Sequence, residues 1–279
     1  MRDTAVALAA AGIDNVRFEA RLLLAKAAGL PVEALIGRGR DPVAAAIVDA
    51  LRSLSVRRLQ HEPMAYILGE REFWGLPFKV TPEVLVPRPD SETIIEAGLA
   101  LLPDRERCWR LLDLGLGSGC LLLTLLKELP NAGGVGLEIS HGALEVARDN
   151  AAALDVAARA TLVQGDWRQP GWEDRLGGPF DLVVSNPPYV ESAAISRLMP
   201  EVAQYEPRQA LDGGPDGLTA YRTIAAAGRR LVTPEGHLLF EVGHGQATEI
   251  VGILASVGLA PLPPWKDLGG IERVVGARH

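Results

Sequence analysis

The residues of this 279-residue chain best suited to chemistry are Asn186-Pro187-Pro188-Tyr189, which follow directly on the apolar run Phe180-Asp181-Leu182-Val183-Val184-Ser185. That run reads as a buried strand, so it delivers the tetrapeptide to a strand end. Asn186 can offer its side-chain oxygen, and Pro187 its main-chain carbonyl, as acceptors for the two hydrogens of a substrate NH2 group. An amide nitrogen is a poor nucleophile because its lone pair is delocalised into the carbonyl, the same resonance that flattens the peptide bond. Chemistry on it calls for alignment and fitting dipoles rather than a strong general base. The consecutive prolines hold the loop extended and remove backbone N–H donors that would compete for the acceptors. Tyr189 can then lie flat on the amide plane. The bland alternative is a strand-ending turn, which Asn and Pro also make.

A second constellation lies upstream. Asp113-Leu114-Gly115-Leu116-Gly117-Ser118-Gly119 follows an apolar strand and opens a helix, so its glycines let the backbone approach a ligand where a Cβ would collide. The dinucleotide pattern GxGxxG, started at Gly115, needs Gly or Ala where Cys120 stands. Started at Gly117 it meets Leu122, and no Gly-Lys-Ser/Thr follows, so NAD and ATP are both disfavoured. The next strand ends in Glu138, 19 residues beyond Gly119, where a carboxylate can accept from both hydroxyls of a ribose. A third strand ends in Asp166-Trp167. Taken singly, these pieces are also compatible with a tight turn, a helix cap and a core indole.

The elements that must position these residues alternate. LLDLG, VGLEIS, ATLVQGD, FDLVVSN, HLLFEVG and ERVVGAR read as strands, with helices to Leu129, through Leu154, from Tyr221 to Leu231 and near Ile250 to Leu254. Strand–helix alternation predicts a doubly wound parallel sheet, whose ligands bind at the carboxyl ends of the strands. Residues 1–73 carry helical periodicity instead: Phe18, Leu22, Leu23 and Ala25 on one inward stripe, Val43, Ile47, Leu51 and Leu54 on another, with breaks at Gly29-Leu30-Pro31 and from Gly37 to Pro42. Residues 74–89 suit a proline-rich hairpin linker, and residues 90–279 the sheet domain, with Asp90 expected to cap its first helix.

Bulk properties narrow the class. A net charge of −7 weighs against affinity built on neutralising phosphates, so direct nucleic-acid binding is not expected. Cys108 and Cys120 make neither a disulfide framework nor a zinc site, the histidines have no metal-ligand spacing, and no run suits a membrane span. No metal is expected, and a reducing cytoplasm fits best.

GxGxG preceded by Asp113 resembles motif I of the class I S-adenosylmethionine methyltransferases. NPPY-type motifs occur among those acting on protein glutamine, DNA adenine or RNA bases. Over nearly its whole length the chain further resembles the HemK-type release factor glutamine methyltransferases. The resemblance rests on His61-Glu62-Pro63-Met64-Ala65-Tyr66-Ile67-Leu68-Gly69, on Glu72-Phe73-Trp74-Gly75, on Val84 to Asp90, on Glu206-Pro207, on Ala210 to Leu218 and on Lys266 to Val275. It implies S-adenosylmethionine as cofactor, with Asp166 accepting from the adenine amino group and Trp167 packed on the ring. It also implies an N-terminal helical bundle that docks the partner, and a Rossmann-like seven-stranded sheet whose last strand is antiparallel. The implied substrate is the glutamine of the Gly-Gly-Gln loop of class 1 peptide-chain release factors, held by Asn186 to Tyr189. The family commonly has Thr at Leu116, Asp at Glu138 and Ala at Gly269. Arg88, Glu206, Arg208 and Glu241 are further polar candidates, read as salt-bridge or partner-surface residues. The rivals are a DNA adenine methyltransferase, which needs a basic recognition insertion, a ribosomal protein glutamine methyltransferase, a nicotinamide oxidoreductase and a non-catalytic cofactor-binding scaffold.

Overall fold

The computed structural model describes residues 1–37 and 41–279, and the predicted break from Gly37 to Pro42 lies partly outside the described residues. The chain divides into two compact units, one formed by Met1–Glu70 with Met199–Tyr205, the other by Arg71–Leu198 with Glu206–His279.

The first unit is helical: α1 (Arg2–Ala10), α2 (Val16–Ala28), α3 (Ala45–Leu59) and α4 (Met64–Leu68). Its core gathers Leu8, Ile13, Ala20, Leu23, Leu51 and Ile67. Two inward expectations fail. Phe18 is 55% exposed, because the buried stripe of α2 runs through Ala20 and Leu23, and a residue two positions from Ala20 lies about 200° round the helix. Val43 is 48% exposed and precedes α3 altogether. A buried cation fixes this unit: Arg58, 3% exposed, donates to Glu19 at 2.7 and 3.1 Å, and to Glu201 at 2.6 Å on the helix Pro200–Tyr205.

The second unit starts from a hairpin, β1 (Glu70–Phe73) and β2 (Leu76–Lys79), followed by α5 (Glu92–Leu101). Asp90 does not cap α5. A 3-10 turn, Pro89–Ser91, precedes the helix, and the Asp90 carboxylate turns instead to Arg273 at 2.7 Å. Then come β3 (Arg110–Leu114), α6 (Cys120–Glu128), β4 (Gly133–Glu138), α7 (His141–Ala153), β5 (Ala160–Gln164) and β6 (Phe180–Ser185). Two short helices, α8 (Pro200–Tyr205), which belongs to the first unit, and α9 (Arg208–Leu211), precede α10 (Thr219–Leu231), β7 (Val232–Glu241) and α11 (Ala247–Ser256). The chain closes with β8 (Ala260–Pro261), β9 (Trp265–Lys266) and β10 (Glu272–Arg278).

The sheet runs in the order β5-β4-β3-β6-β7-β10-β8, with β9 beside β10. The strands from β5 to β7 are parallel, and β10 is antiparallel to β7. The seven-stranded path with an antiparallel last strand is therefore present, and the two-residue β9 adds an eighth. Helices can cover both faces because the central strands are mainly apolar on both sides: Leu111, Leu112, Leu182, Val183 and Val184 are buried, as is every residue of α6 from Leu121 to Leu126. Each such leucine contributes about 1.5–3 kcal/mol over an exposed one. The order reverses beside β3, where chain connections leave on opposite sides, so the carboxyl ends of β3, β4 and β6 open a crevice. The glycine turn, Glu138 and Asn186 all stand at that edge.

Candidate active site

Asp113 is the penultimate residue of β3 and is 1% exposed. Its Oδ2 accepts the Leu122 N–H at 3.3 Å, while Oδ1 is buried with no hydrogen-bond partner among the described residues. Burial pushes this carboxyl up to about 7 against the Leu122 N–H, and the nearby Glu138 charge adds to the rise. Beyond it Gly115, Gly117 and Gly119 all have φ above +50°. At Gly115 the space matters as much as the angle: a Cβ there would stand 3.2 Å from the Trp167 ring, so the indole lies directly on the turn. Leu116 plays a different part, because its side chain is buried and fills the space above Gly136, where a Cβ would meet it at 2.7 Å. The Ser118 hydroxyl is buried beside the Cys120 thiol.

Glu138 is tied to the turn. Its Oε2 accepts from the Gly117 N–H at 2.8 Å and its Oε1 from the Ser140 N–H at 2.9 Å. Each oxygen keeps a second acceptor direction for a ligand. The Asp166 carboxylate is gripped by Arg168 through its backbone N–H and its guanidinium at 2.8 to 3.0 Å, which holds it below the usual carboxylate range. Asp166 is thus less open to a ligand than its position suggested.

These groups border a cavity of about 660 Å³, within the range of small-molecule sites. Gly115, Leu116, Gly117, Ser118, Glu138, Asp166, Trp167, Asn186 and Pro188 lie on its wall, opposite the segment from Glu83 to Arg88. Asp113, Gly119, Pro187 and Tyr189 are not among the residues that line the cavity.

At the far end, β6 delivers Asn186 beside Ser91 and the end of β7. Asn186 Nδ2 donates to Ser91 Oγ at 3.3 Å, and Ser91 Oγ donates to Glu241 Oε2 at 2.5 Å. Glu241 is 3% exposed, its carboxyl pushed up to about 7 by burial and less strongly by Asp90, against the Ser91 hydroxyl, Arg273 and Asn186. Tyr189 is half-buried, and burial followed by the Glu241 charge pushes its hydroxyl up to about 12, so it stays neutral. The backbone around Tyr189 is clamped. Gln246 donates to its carbonyl at 3.1 Å, the Val190 N–H donates to Leu211 O at 2.9 Å, and the Gly213 N–H donates to Val190 O at 2.8 Å. Gly217 lies so close below that a Cβ would stand 2.4 Å from the Tyr189 carbonyl. Of the remaining candidates, Arg88 pairs with the buried Glu206 at 2.5 Å and Arg208 with Asp212 at 3.0 Å.

Residues 1–69 match the family described as PrmC N-terminal domain, and residues 96–212 match the methyltransferase small domain. A release factor glutamine methyltransferase of Rhodospirillum rubrum is 46% identical over 98% of this chain and 82% of its own length. One from Bradyrhizobium diazoefficiens is 42% identical over 99% and 93%. The chain belongs to the release factor glutamine methyltransferase family. A methyltransferase structure from Pyrococcus furiosus, 16% identical over 81% of this chain and 97% of that one, shares the fold at a TM-score of 0.52.

In this family setting, the residues on the cavity wall fit a nucleoside with a charged tail. The turn is shaped by glycines, Glu138 keeps acceptor directions for a diol, Trp167 offers a ring face, and the buried Asp113 Oδ1 has no partner among the described residues. Sequence reasoning missed Ser91 as a site residue. It stands 95 positions from Asn186, in a segment that looked like a helix start, and no periodicity links the two.

Proposed function

We propose that the protein transfers a methyl group from S-adenosylmethionine to the side-chain amide nitrogen (N5) of the glutamine in the Gly-Gly-Gln loop of class 1 peptide-chain release factors. The observation that carries this reading is the orientation of Asn186. With Nδ2 donated inward to Ser91, Oδ1 is the carboxamide atom left to accept a hydrogen from a substrate NH2. The Pro187 carbonyl is the second acceptor in this reading, so the nitrogen is held by both its hydrogens and its lone pair is aimed along one line. Tyr189, held neutral by burial, packs against the amide plane with its ring face. The cofactor, when bound, supplies an electrophilic methyl group on a sulfonium sulfur. Glu138 holds its ribose, Trp167 and Asp166 its adenine, and the glycine turn with Asp113 its amino-acid end. Alignment in a water-poor cleft is the source of rate, and no group in the site has to act as a strong base.

In the same reading, residues 1–73 dock the release factor, residues 74–89 link, and residues 90–279 catalyse. A DNA adenine amino group would satisfy the same two acceptors, but the net charge of −7 disfavours a duplex partner. The test incubates the protein and methyl-labelled cofactor with a class 1 release factor, the same factor with its loop glutamine changed to alanine, ribosomal protein and DNA. Label on the intact factor alone is expected. Label on DNA or ribosomal protein, or equal label on the alanine variant, would overturn the assignment.

A further inference from the structure

A carboxamide presents nearly the same shape in two orientations that exchange its oxygen and its nitrogen. Only one serves the reaction, since an Nδ2 turned to the substrate NH2 would set donor against donor. Asn186 stands on a loop at a strand end, so something outside the tetrapeptide has to choose between them. From the geometry we infer that Ser91 and Glu241 are positioning residues, which lock the Asn186 carboxamide with its oxygen toward the substrate amide. This deepens the proposed function and rests on it.

The relay has a direction. The Glu241 carboxylate is acceptor-only, so the Ser91 hydroxyl spends its single hydrogen on Oε2 at 2.5 Å. The Ser91 oxygen is thereby left as an acceptor, and it takes an N–H from Asn186 at 3.3 Å. Glu241 also hydrogen-bonds the Asn186 side chain directly, so a buried carboxylate and the one hydroxyl it orients together dictate which atom of Asn186 faces inward. Both relay members are fixed in turn. Ser91 is 2% exposed and sits in the Pro89–Ser91 turn, which is moored by Asp90 to Arg273 at 2.7 Å, while Arg273 is held by Asp267 at 2.9 Å. Glu241 ends β7 beside β6, and its backbone carbonyl accepts the Tyr221 hydroxyl at 2.8 Å. Other charged or titratable groups around it are Cys120 on α6, Tyr189 and Tyr221, and none of these is in a position to be the donor that Ser91 supplies. Support of a reacting group by a rigid neighbouring shell is what keeps a site at productive geometry.

The experiment compares Ser91→Ala and Ser91→Thr in the full chain. Ser91→Ala removes only the relay oxygen, and Ser91→Thr restores a hydroxyl. Expected is a fall in kcat on the release factor of roughly tenfold or more for the alanine variant, an unchanged cofactor Kd, and recovery in the threonine variant. The same proteins, labelled with 15N-asparagine, report the Asn186 side-chain amide by NMR, identified by its loss in Asn186→Ala. Its hydrogen exchange should be protected in the natural protein and unprotected in Ser91→Ala. Wild-type kcat and undiminished amide protection in Ser91→Ala would overturn the relay. If the natural protein methylates no release factor, the proposed function fails, and the amide protection still decides whether the relay exists.

Discussion

Asp113→Asn should make the cofactor-free protein more stable at pH 8 and less stable at pH 4. The carboxyl of Asp113 is raised from 3.8 to about 7 by burial beside Glu138. An acid whose folded value lies above its unfolded value binds more protons in the folded state, so stability falls as pH rises from about 4 to about 7 and the penalty is complete above that. The gap of roughly 3 units, at 1.36 kcal/mol each, amounts to ~4 kcal/mol at pH 8. Asparagine removes the charge and keeps an acceptor for the Leu122 N–H. It also puts donors where Oδ1 has no partner, which costs about 1–3 kcal/mol. The balance favours the variant by ~1–3 kcal/mol at pH 8, whereas at pH 4 only the unsatisfied donors remain and the natural chain leads by a similar amount. Urea unfolding of both proteins at pH 4, 6 and 8 reads this directly. A variant less stable at pH 8, or a difference that does not change with pH, would refute the reasoning.

Other consequences follow from particular contacts. Gly115→Ala places a Cβ in a backbone with φ +81° and 3.2 Å from the Trp167 ring, so cofactor Kd by calorimetry should rise about tenfold or more; an unchanged Kd would separate the indole from the cofactor site. Protonation of Glu241 lets its carboxyl donate to Ser91, which reverses the relay. As pH falls through about 7, kcat at saturating cofactor should therefore fall, and Glu241→Gln should weaken that limb; Tyr189 and Cys120, pushed up to about 12, stay neutral across this range, and Asp113, which titrates over the same range at the cofactor end, is told apart by the same profile in Asp113→Asn. Arg58→Ala leaves Glu19 and Glu201 without their shared cation, and the helical unit should lose about 3–5 kcal/mol, seen as a lowered Tm.

The sheet was legible because its central strands are buried on both faces and read as mainly apolar runs, such as Leu111 to Leu114 and Phe180 to Val184, each interrupted by a single aspartate. The strands β8 and β9 were not, since two residues carry no periodicity. Phe18 misled because a short helix on a small core has a narrow buried stripe, and a large apolar residue just outside it is tolerated at the surface. Glycine spacing and NPPY located both ends of the site. What they could not show is how polar groups are shared: Arg168 closing on Asp166, Arg273 drawing Asp90 away from a helix cap, and Ser91 joining Asn186 to Glu241. Each of the last two links residues more than 90 positions apart, and each is a choice among partners that only the folded chain makes available.

Asn186→Ala, followed by kcat on the release factor and cofactor Kd side by side, tests most directly whether a carboxamide oxygen at the tip of β6 holds the substrate amide. Expected is a fall in kcat of roughly a hundredfold or more, with cofactor Kd within about twofold of the natural protein. Undiminished turnover, or a loss that appears only as weaker cofactor binding, would contradict it.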